Sequence, residues 1–362
     1  MEVTGLAARG FRNLDAECRF APGLNVLHGP NAQGKTSLLE AIYFCAFGRG
    51  LRGRGDRELV GWGLGGCSVR VLHERGGRPY RTDARVELSG HKAAKAFSAD
   101  GVPVAHMKDL FGRLLVVMFG PQDLRLVKEG PGERRRFMDM EICQLSAVYY
   151  GDLKEYHRVL RHRNALLKEI KAGRSGAGEL APWDEQLAHY GARAGRARAG
   201  FVERVGQAAA GIYRKISGGE EMRMRYRPSP VTADGLLAAR GRDVARGATG
   251  DGLHADEIEF DISGRSARSY ASQGQQRSAA LAAKLAEIEL VRESAGTAPV
   301  LLLDDVLSEL DSARQEFLME FAAGQQTIMT ATGPVRLAAG ARVMGVAGGR
   351  VERADGDERA CG

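Results

Sequence analysis

The chain has 362 residues, 44% of them hydrophobic, enough to bury a core in one large or two ordinary domains. No apolar run approaches the length of a membrane span, Met1-Glu2-Val3-Thr4 lacks the basic and apolar stretches of a secretion signal, and the five cysteines (Cys18, Cys45, Cys67, Cys143, Cys361) show no CxxC spacing; a cytoplasmic chain with reduced thiols is expected rather than disulfides, structural zinc or a membrane partner. Fifty-two basic against 45 acidic residues give a net charge of +7, which suits a polyanionic partner.

Leu24-Asn25-Val26-Leu27-His28 reads as a strand and Ser37-Leu38-Leu39-Glu40-Ala41-Ile42 as a helix. Between them, Gly29-Pro30-Asn31-Ala32-Gln33-Gly34-Lys35-Thr36 fits G-x-x-x-x-G-K-[ST] at every fixed position. Glycines let such a loop curl its N–H groups toward phosphate oxygens, and the helix N-terminus adds its dipole. Lys35 is expected on the β/γ-phosphates of ATP, and the Thr36 hydroxyl on Mg²⁺.

The next stretch, Gly48-Arg49-Gly50-Leu51-Arg52-Gly53-Arg54-Gly55, reads as a flexible loop. With Arg57 it forms the preferred candidate for DNA phosphate contacts, made without sequence reading. No aromatic platform for stacking single-stranded bases is apparent, so duplex backbone is the expected target. Val69–Glu74 and Ala84–Leu88 alternate like antiparallel strands around a glycine-bearing turn. Leu114–Met118 is strand-like, and Phe119-Gly120-Pro121-Gln122-Asp123 after it places Gln122 to sense Mg²⁺ and the attacking water.

From about Pro131 the pattern turns helical. Arg134, Arg135 and Arg136 form a second basic cluster; Arg158, Arg161, His162 and Arg163, and then Arg193, Arg196 and Arg198, form others. Apolar residues recur at three- and four-residue steps from Leu145 to Ile170, break at Gly173–Gly178, and resume from Trp183 to Ile216. Such stripes predict an antiparallel helical hairpin, with arms of about 30–35 residues and ~50 Å. Met222–Arg227 and Ile258–Ile262 read as strands, whereas Asp234 to Asp251 is glycine- and charge-rich and is expected to be a mobile loop.

In Ser272-Gln273-Gly274-Gln275-Gln276, Gly274 permits close backbone approach, while Ser272 and Gln275 offer hydrogen bonds ahead of a helix from Arg277 to about Arg292. Val300–Leu303 is a fully apolar run, as a buried parallel strand requires. It ends in Asp304, placed for Mg²⁺, and Asp305, placed to orient or deprotonate the attacking water; Ser308-Glu309-Leu310-Asp311 follows. Ile328–Thr332 offers only threonine hydroxyls where transporter ATPases carry a switch histidine, which leaves Thr330 and Thr332 without a clear role. Arg342–Val346 and Arg350–Glu352 read as a closing hairpin, with frayed residues after it.

These motifs in this order resemble an ABC-type ATPase head of the SMC-like branch. Phe11-Arg12-Asn13, Gly130–Asp139, Ala271–Arg277, Lys284–Glu287 and Leu303–Asp311 narrow the resemblance to the RecF family. The resemblance implies an α/β fold: a P-loop ATPase head of mixed sheet and antiparallel β region (1–130 and 255–362), with a short antiparallel helical arm inserted at 131–254 and its hairpin at about 133–217. It also implies two half-sites. Lys35, Thr36, Ser37, Gln122, Asp304 and Asp305 form the cis half with Arg12 and Asn13 near the nucleotide. Ser272, Gly274 and Gln275, with Asp311 nearby, form the trans half on a second copy. Such proteins dimerise on ATP, hydrolyse it weakly and with DNA stimulation, and act at single-strand gaps and stalled forks with RecR, RecO and RecA. Asp305 stands where ABC transporters usually carry Glu, which suits a slow switch. An energy-coupling transporter subunit and a structural DNA tether are the alternatives that share these motifs.

Overall fold

The computed structural model describes residues 1–51, 55–121, 123, 126–333 and 340–352. Gln122, Arg52, Arg54 and the frayed end expected after 353 lie outside them. Packing divides the chain into two units, Met1–Leu124 with Glu287–Gly362, and Arg125–Ala286. The second division falls some thirty residues beyond the expected 254/255 boundary, because the strands and helix start after 254 pack on the arm's side of it.

In the first unit, β1 (Glu2–Phe11), β2 (Leu14–Arg19), β4 (Gly66–Arg75), β5 (Arg78–Ser89), β6 (Lys92–Ala99) and β7 (Val102–Pro103) form an antiparallel sheet in the order β2-β1-β4-β5-β6-β7. A second sheet runs β15-β14-β3-β13-β12-β8. Its strands are β3 (Leu24–His28), β8 (Val116–Phe119), β12 (Val300–Leu303), β13 (Thr327–Ala331), β14 (Arg342–Ala347) and β15 (Arg350–Val351). In this sheet β14, β3, β13, β12 and β8 are mutually parallel, while β15 folds back antiparallel on β14 as the closing hairpin. The uninterrupted apolar run of β12 is fully buried, as a strand covered on both faces must be.

Helix α1 (Lys35–Phe47) packs against both sheets, which explains why it is buried nearly all round. Phe44 meets Phe11 and Phe97 with ring centroids 5.8 and 5.3 Å apart. One carboxylate interrupts this apolar helix. Glu40 is 2% exposed; its oxygens take Nε and NH2 of Arg12 at 2.9 and 2.8 Å and the Leu51 N–H at 2.9 Å.

The second unit holds α2 (Pro131–Leu145), α3 (Ala147–Lys171), α4 (Ala181–Ser217), α5 (Ala233–Arg246) and the short α6 (Ala267–Tyr270). A small antiparallel sheet joins β9 (Met222–Arg227), β10 (Glu257–Ile262) and β11 (Arg265–Ser266). Helix α7 (Gln273–Ala295) spans the division, and α8 (Ser312–Ala322) belongs to the first unit. Helices α3 and α4 are the expected hairpin, with 25 and 37 residues. At 1.5 Å per residue they extend about 38 and 56 Å. The first arm is shorter than expected because Ser146 ends α2 in extended backbone and caps α3, its hydroxyl accepting the Tyr149 N–H at 3.1 Å.

The segment expected to be a mobile loop is instead α5. Thr232 caps it by accepting the Gly235 N–H, Leu236 and Ala239 are buried, and Gly247 closes it in the left-handed region. Its buried Asp243 accepts NH1 of Arg163 at 2.7 Å, while Arg163 Nε reaches Asp184 at 2.7 Å. The described cysteines Cys18, Cys45, Cys67 and Cys143 are free and buried. Burial pushes the Cys18 thiol up to about 12 and the Cys67 thiol to about 11. No helix among the described residues is long and apolar enough to cross a membrane.

Candidate nucleotide site

The carboxyl ends of β3, β13, β12 and β8 lie side by side, where ligands of open α/β sheets bind. The chain leaving β3 curls through Gly34, at φ 108°, straight into α1. No side chain caps this helix and its first turn holds no acid. The N–H groups of its first turn therefore lack intrahelical acceptors. Lys35, Thr36 and Ser37 line a cavity of about 290 Å³ together with Asn13, Asp304 and Asp305. Free donors and the positive end of the helix dipole make this an anion site. A larger hollow of about 950 Å³ lies on the outer face of the antiparallel sheet and includes none of these residues.

Hydroxyls converge on Asp304. Thr36 Oγ1 donates to its Oδ1 at 2.6 Å, and Thr330 Oγ1 donates to the same oxygen at 3.1 Å. A threonine that gives its proton to a carboxylate keeps its lone pairs for a cation. Thr36 and Asp304 thus present hard oxygen ligands beside the phosphate loop, which fits Mg²⁺ held by one carboxylate plus substrate and water oxygens. Lys35 Nζ donates to the Gly29 and Pro30 carbonyls at 2.6 and 2.7 Å. Burial lowers its pKa, against the opposing pull of Asp305 and Asp304. Phosphate oxygens would replace those carbonyls as stronger, charged acceptors.

Asp305 adopts φ 52°, in the left-handed region. It is held there by two bonds: its N–H donates to Thr330 Oγ1 at 2.8 Å, and its carbonyl accepts from Ser308 Oγ at 2.8 Å. Thr330, to which the sequence assigned no clear role, therefore ties both aspartates together. The available signal was its place at the end of the strand beside β12. Arg12 at φ 55° and Ala32 at φ 63° share the left-handed conformation. Strained non-glycine backbone gathers at sites whose surroundings enforce it.

Asn13 braces the loop, donating to the Ala32 carbonyl at 3.2 Å and accepting from Ser37 Oγ at 2.8 Å. The Arg12 guanidinium lies on Glu40 and the Glu58 carbonyl. Gln33 is gripped from the C-terminal hairpin, its side chain accepting the Gly348 N–H at 2.7 Å and its carbonyl the Gly349 N–H at 3.0 Å. A Cβ at Gly349, φ 75°, would overlap the Asn13 carbonyl oxygen, whereas one at Gly348, φ 55°, meets nothing within 4 Å. Gly349→Ala is expected to cost about 2–4 kcal/mol and Gly348→Ala about 1 kcal/mol. Thermal melting of the two variants against the parent checks this ordering.

In the second unit, α7 begins at Gln273, four residues earlier than expected, because Ser272 and Gln275 cap each other. Ser272 Oγ accepts the Gln275 N–H at 3.2 Å and Gln275 Oε1 accepts the Ser272 N–H at 2.9 Å. The exposed Ser272 hydroxyl retains a proton to donate, while Gly274 leaves the first turn without bulk. Gln275 Nε2 also holds Glu220 at 3.0 and 3.1 Å. Asp311 caps α8 by accepting the Arg314 N–H at 3.0 Å.

The basic clusters divide sharply. Arg134 was expected on DNA but is 2% exposed, with Nε and NH2 on Glu257 at 2.6 and 2.8 Å and NH1 on the Leu126 and Glu129 carbonyls. Arg163 and Arg198 are buried in ion pairs as well, with Asp184 and Asp243, and with Asp139 and Asp256. A buried guanidinium committed to carboxylates has no capacity for phosphate, so these three are structural. Arg135 donates to the Asp256 carbonyl at 2.9 Å and Arg136 is half-buried. Arg49 and Arg57 are exposed.

A phosphate loop at the carboxyl ends of a parallel sheet, an antiparallel sheet sharing its helix, and a short helical hairpin define an ABC-type ATPase head of the SMC-like branch. The Smc head domain of Pyrococcus furiosus shares the fold, at TM-score 0.56 and 16% identity over 97% of this chain and 95% of that one. An AAA domain family matches residues 7–100. DNA replication and repair protein RecF of Lachnoclostridium phytofermentans is 41% identical over 92% of this chain and 93% of its own. Its counterpart in Moorella thermoacetica is 40% identical over 95% and 94%. The chain belongs to the RecF family of DNA replication and repair proteins. A solved structure of the recombination mediator RecF with ATP, in the RecFOR pathway, superposes at TM-score 0.90 with 32% identity, covering 97% of this chain and 96% of that one.

Proposed function

We propose that the chain is an ATP-gated DNA-binding protein of recombinational repair. ATP binds with its phosphates on the α1 N-terminus, where Lys35 and the loop N–H groups hold the β/γ-phosphates and Asn13 and Ser37 keep the loop in shape. Thr36 and Asp304 would hold Mg²⁺, which when bound would supply charge neutralisation on the phosphates. A second copy contributes Ser272, Gly274 and Gln275 at the start of its α7, so ATP bridges a homodimer. Asp305 orients and deprotonates the attacking water, Gln122 takes the role of sensing that water, and slow hydrolysis releases the dimer.

The closed dimer binds duplex DNA at single-strand gaps and stalled forks, acts with RecR and RecO, and aids loading of RecA. Family membership supports the pathway, as does the relative solved with ATP. The observation that carries the nucleotide reading is the convergence of the Thr36 and Thr330 hydroxyls on Asp304 beside an uncapped helix N-terminus. Arg49 and Arg57 remain the candidate phosphate contacts.

Light scattering with ATP, ADP or no nucleotide tests the dimer. The parent protein is expected to double in mass with ATP alone, and both Lys35→Met and Ser272→Arg to stay monomeric. Mixing the two variants should restore one intact composite site and partial dimerisation. A Ser272→Arg protein that still dimerises with ATP would remove the trans half-site.

A further inference from the structure

The sequence holds two tryptophans, and the fold treats them oppositely. Trp183 stacks on His162 within the helical arm, ring centroids 5.0 Å apart. Trp62 is fully exposed. A side chain of this kind normally contributes by burying a large apolar area, and here it contributes none to the fold.

Its presentation is rigid. The Gly61 carbonyl accepts the Leu64 N–H at 3.1 Å, which makes Gly61-Trp62-Gly63-Leu64 a tight turn, and Gly63 at φ 75° supplies the left-handed third position. The turn is pinned on both sides. The Gly61 N–H donates to the Gly10 carbonyl at 2.8 Å, and the Gly65 carbonyl accepts the Leu88 N–H at 2.8 Å. A Cβ at Gly61 would lie 2.8 Å from the Arg12 carbonyl, so the backbone approaches β1 closely. Trp62 thus stands at the tip of a fixed turn, beside the half-exposed Leu64.

Exposed cations lie on this edge. Arg57, exposed, reaches the Gly90 carbonyl of the β5–β6 turn, where His91 and Lys92 are also exposed. Of the nearby acids, Asp56 pairs with Lys95 at 2.9 Å, whereas exposed Glu58 lies 3.9 Å from an Arg12 already held by Glu40. Glu87, in register with Gly66, is a second exposed acid on this edge. A rigid exposed indole beside cations is the pairing that binds unpaired nucleobases, the ring stacking on the base while the cations follow the backbone. A blunt duplex keeps its bases stacked internally and offers such a ring little.

We propose that Trp62 is a base-stacking residue that gives this protein its preference for DNA carrying unpaired bases next to duplex. The inference rests on the DNA-binding reading above and adds to it the residue that distinguishes a gap from intact duplex.

Trp183→Phe leaves Trp62 as the sole tryptophan and therefore a direct reporter. With ATP present, its emission is expected to be quenched by gapped DNA and to change little with blunt duplex of equal length, while anisotropy of the labelled DNA follows binding separately. Trp62→Ala is expected to weaken binding to gapped DNA about tenfold and to leave duplex affinity unchanged, with Trp62→Phe in between. Gapped-DNA binding that leaves Trp62 emission unaltered would overturn the assignment, as would a Trp62→Ala protein with parental gap affinity. An emission change that tracks protein concentration without DNA would give the turn to contact between copies and overturn it equally. If the parent binds neither DNA with any nucleotide, the DNA-binding reading fails first and takes this one with it.

Discussion

Asp305→Asn is expected to lower ATP turnover by about 10²–10³-fold while leaving nucleotide binding and ATP-dependent dimerisation intact. The magnitude is that of a positioned general base. The substitution isolates the carboxylate unusually well. Asp305 sits at φ 52°, a conformation that Asn adopts as readily as Asp. Both bonds that hold it use backbone atoms, the N–H to Thr330 and the carbonyl from Ser308, and neither changes with the side chain. Single-turnover phosphate release, alongside fluorescent nucleotide binding, separates chemistry from affinity. The prediction fails if the Asn protein turns over within about threefold of the parent, or if it loses nucleotide binding in step with turnover. The companion Thr330→Val removes the hydroxyl that serves both aspartates and is expected to slow turnover less, since the carboxylate itself remains.

Arg163→Met is expected to destabilise the arm unit by about 3–5 kcal/mol, the cost of stranding buried charges, and to lower its melting temperature by about 10 °C. Arg163 is fully buried at the meeting of three helices. Its Nε holds Asp184 of α4, and its NH1 holds Asp243 of α5 and the Thr249 hydroxyl at 2.8 Å. Removing it leaves Asp243 buried without its cation, while Asp184 keeps Arg240 at 2.7 Å. Asp243→Asn, which retains shape and hydrogen bonding, should therefore be milder than the arginine deletion when both are melted side by side. A loss under about 1 kcal/mol for Arg163→Met would show that water reaches this network.

Much of the head was legible without coordinates, because its chemistry is carried by short contiguous segments. The phosphate loop needs glycines, a lysine and a hydroxyl at set positions, and α1 follows β3 directly, so loop and helix come from one stretch. The acidic strand end is announced by four apolar residues and two aspartates. The hairpin follows from apolar spacing. Glu40 had a signal too, as a lone charge inside an apolar helix, yet its partners Arg12 and Leu51 lie on separate segments.

Misreadings arose where composition and environment disagree. Glycine and charge made α5 look like a loop, but its charge is internal currency: Asp243 is neutralised by an arginine eighty residues earlier in the chain. Runs of arginine looked like a DNA surface, yet Arg134, Arg163 and Arg198 fold inward onto carboxylates distant in sequence. Trp62 carried no signal in the sequence, and only the fold leaves it exposed.

The sequence alone determined the class of ATPase and the order of its strands and helices around the phosphate loop, because spacing along a continuous backbone sets those positions. Tertiary structure alone decided which arginines are buried in ion pairs, that Thr330 joins Asp304 to Asp305, and that Trp62 faces solvent. Burial and charge pairing depend on which distant segments meet, and a linear pattern does not carry that information.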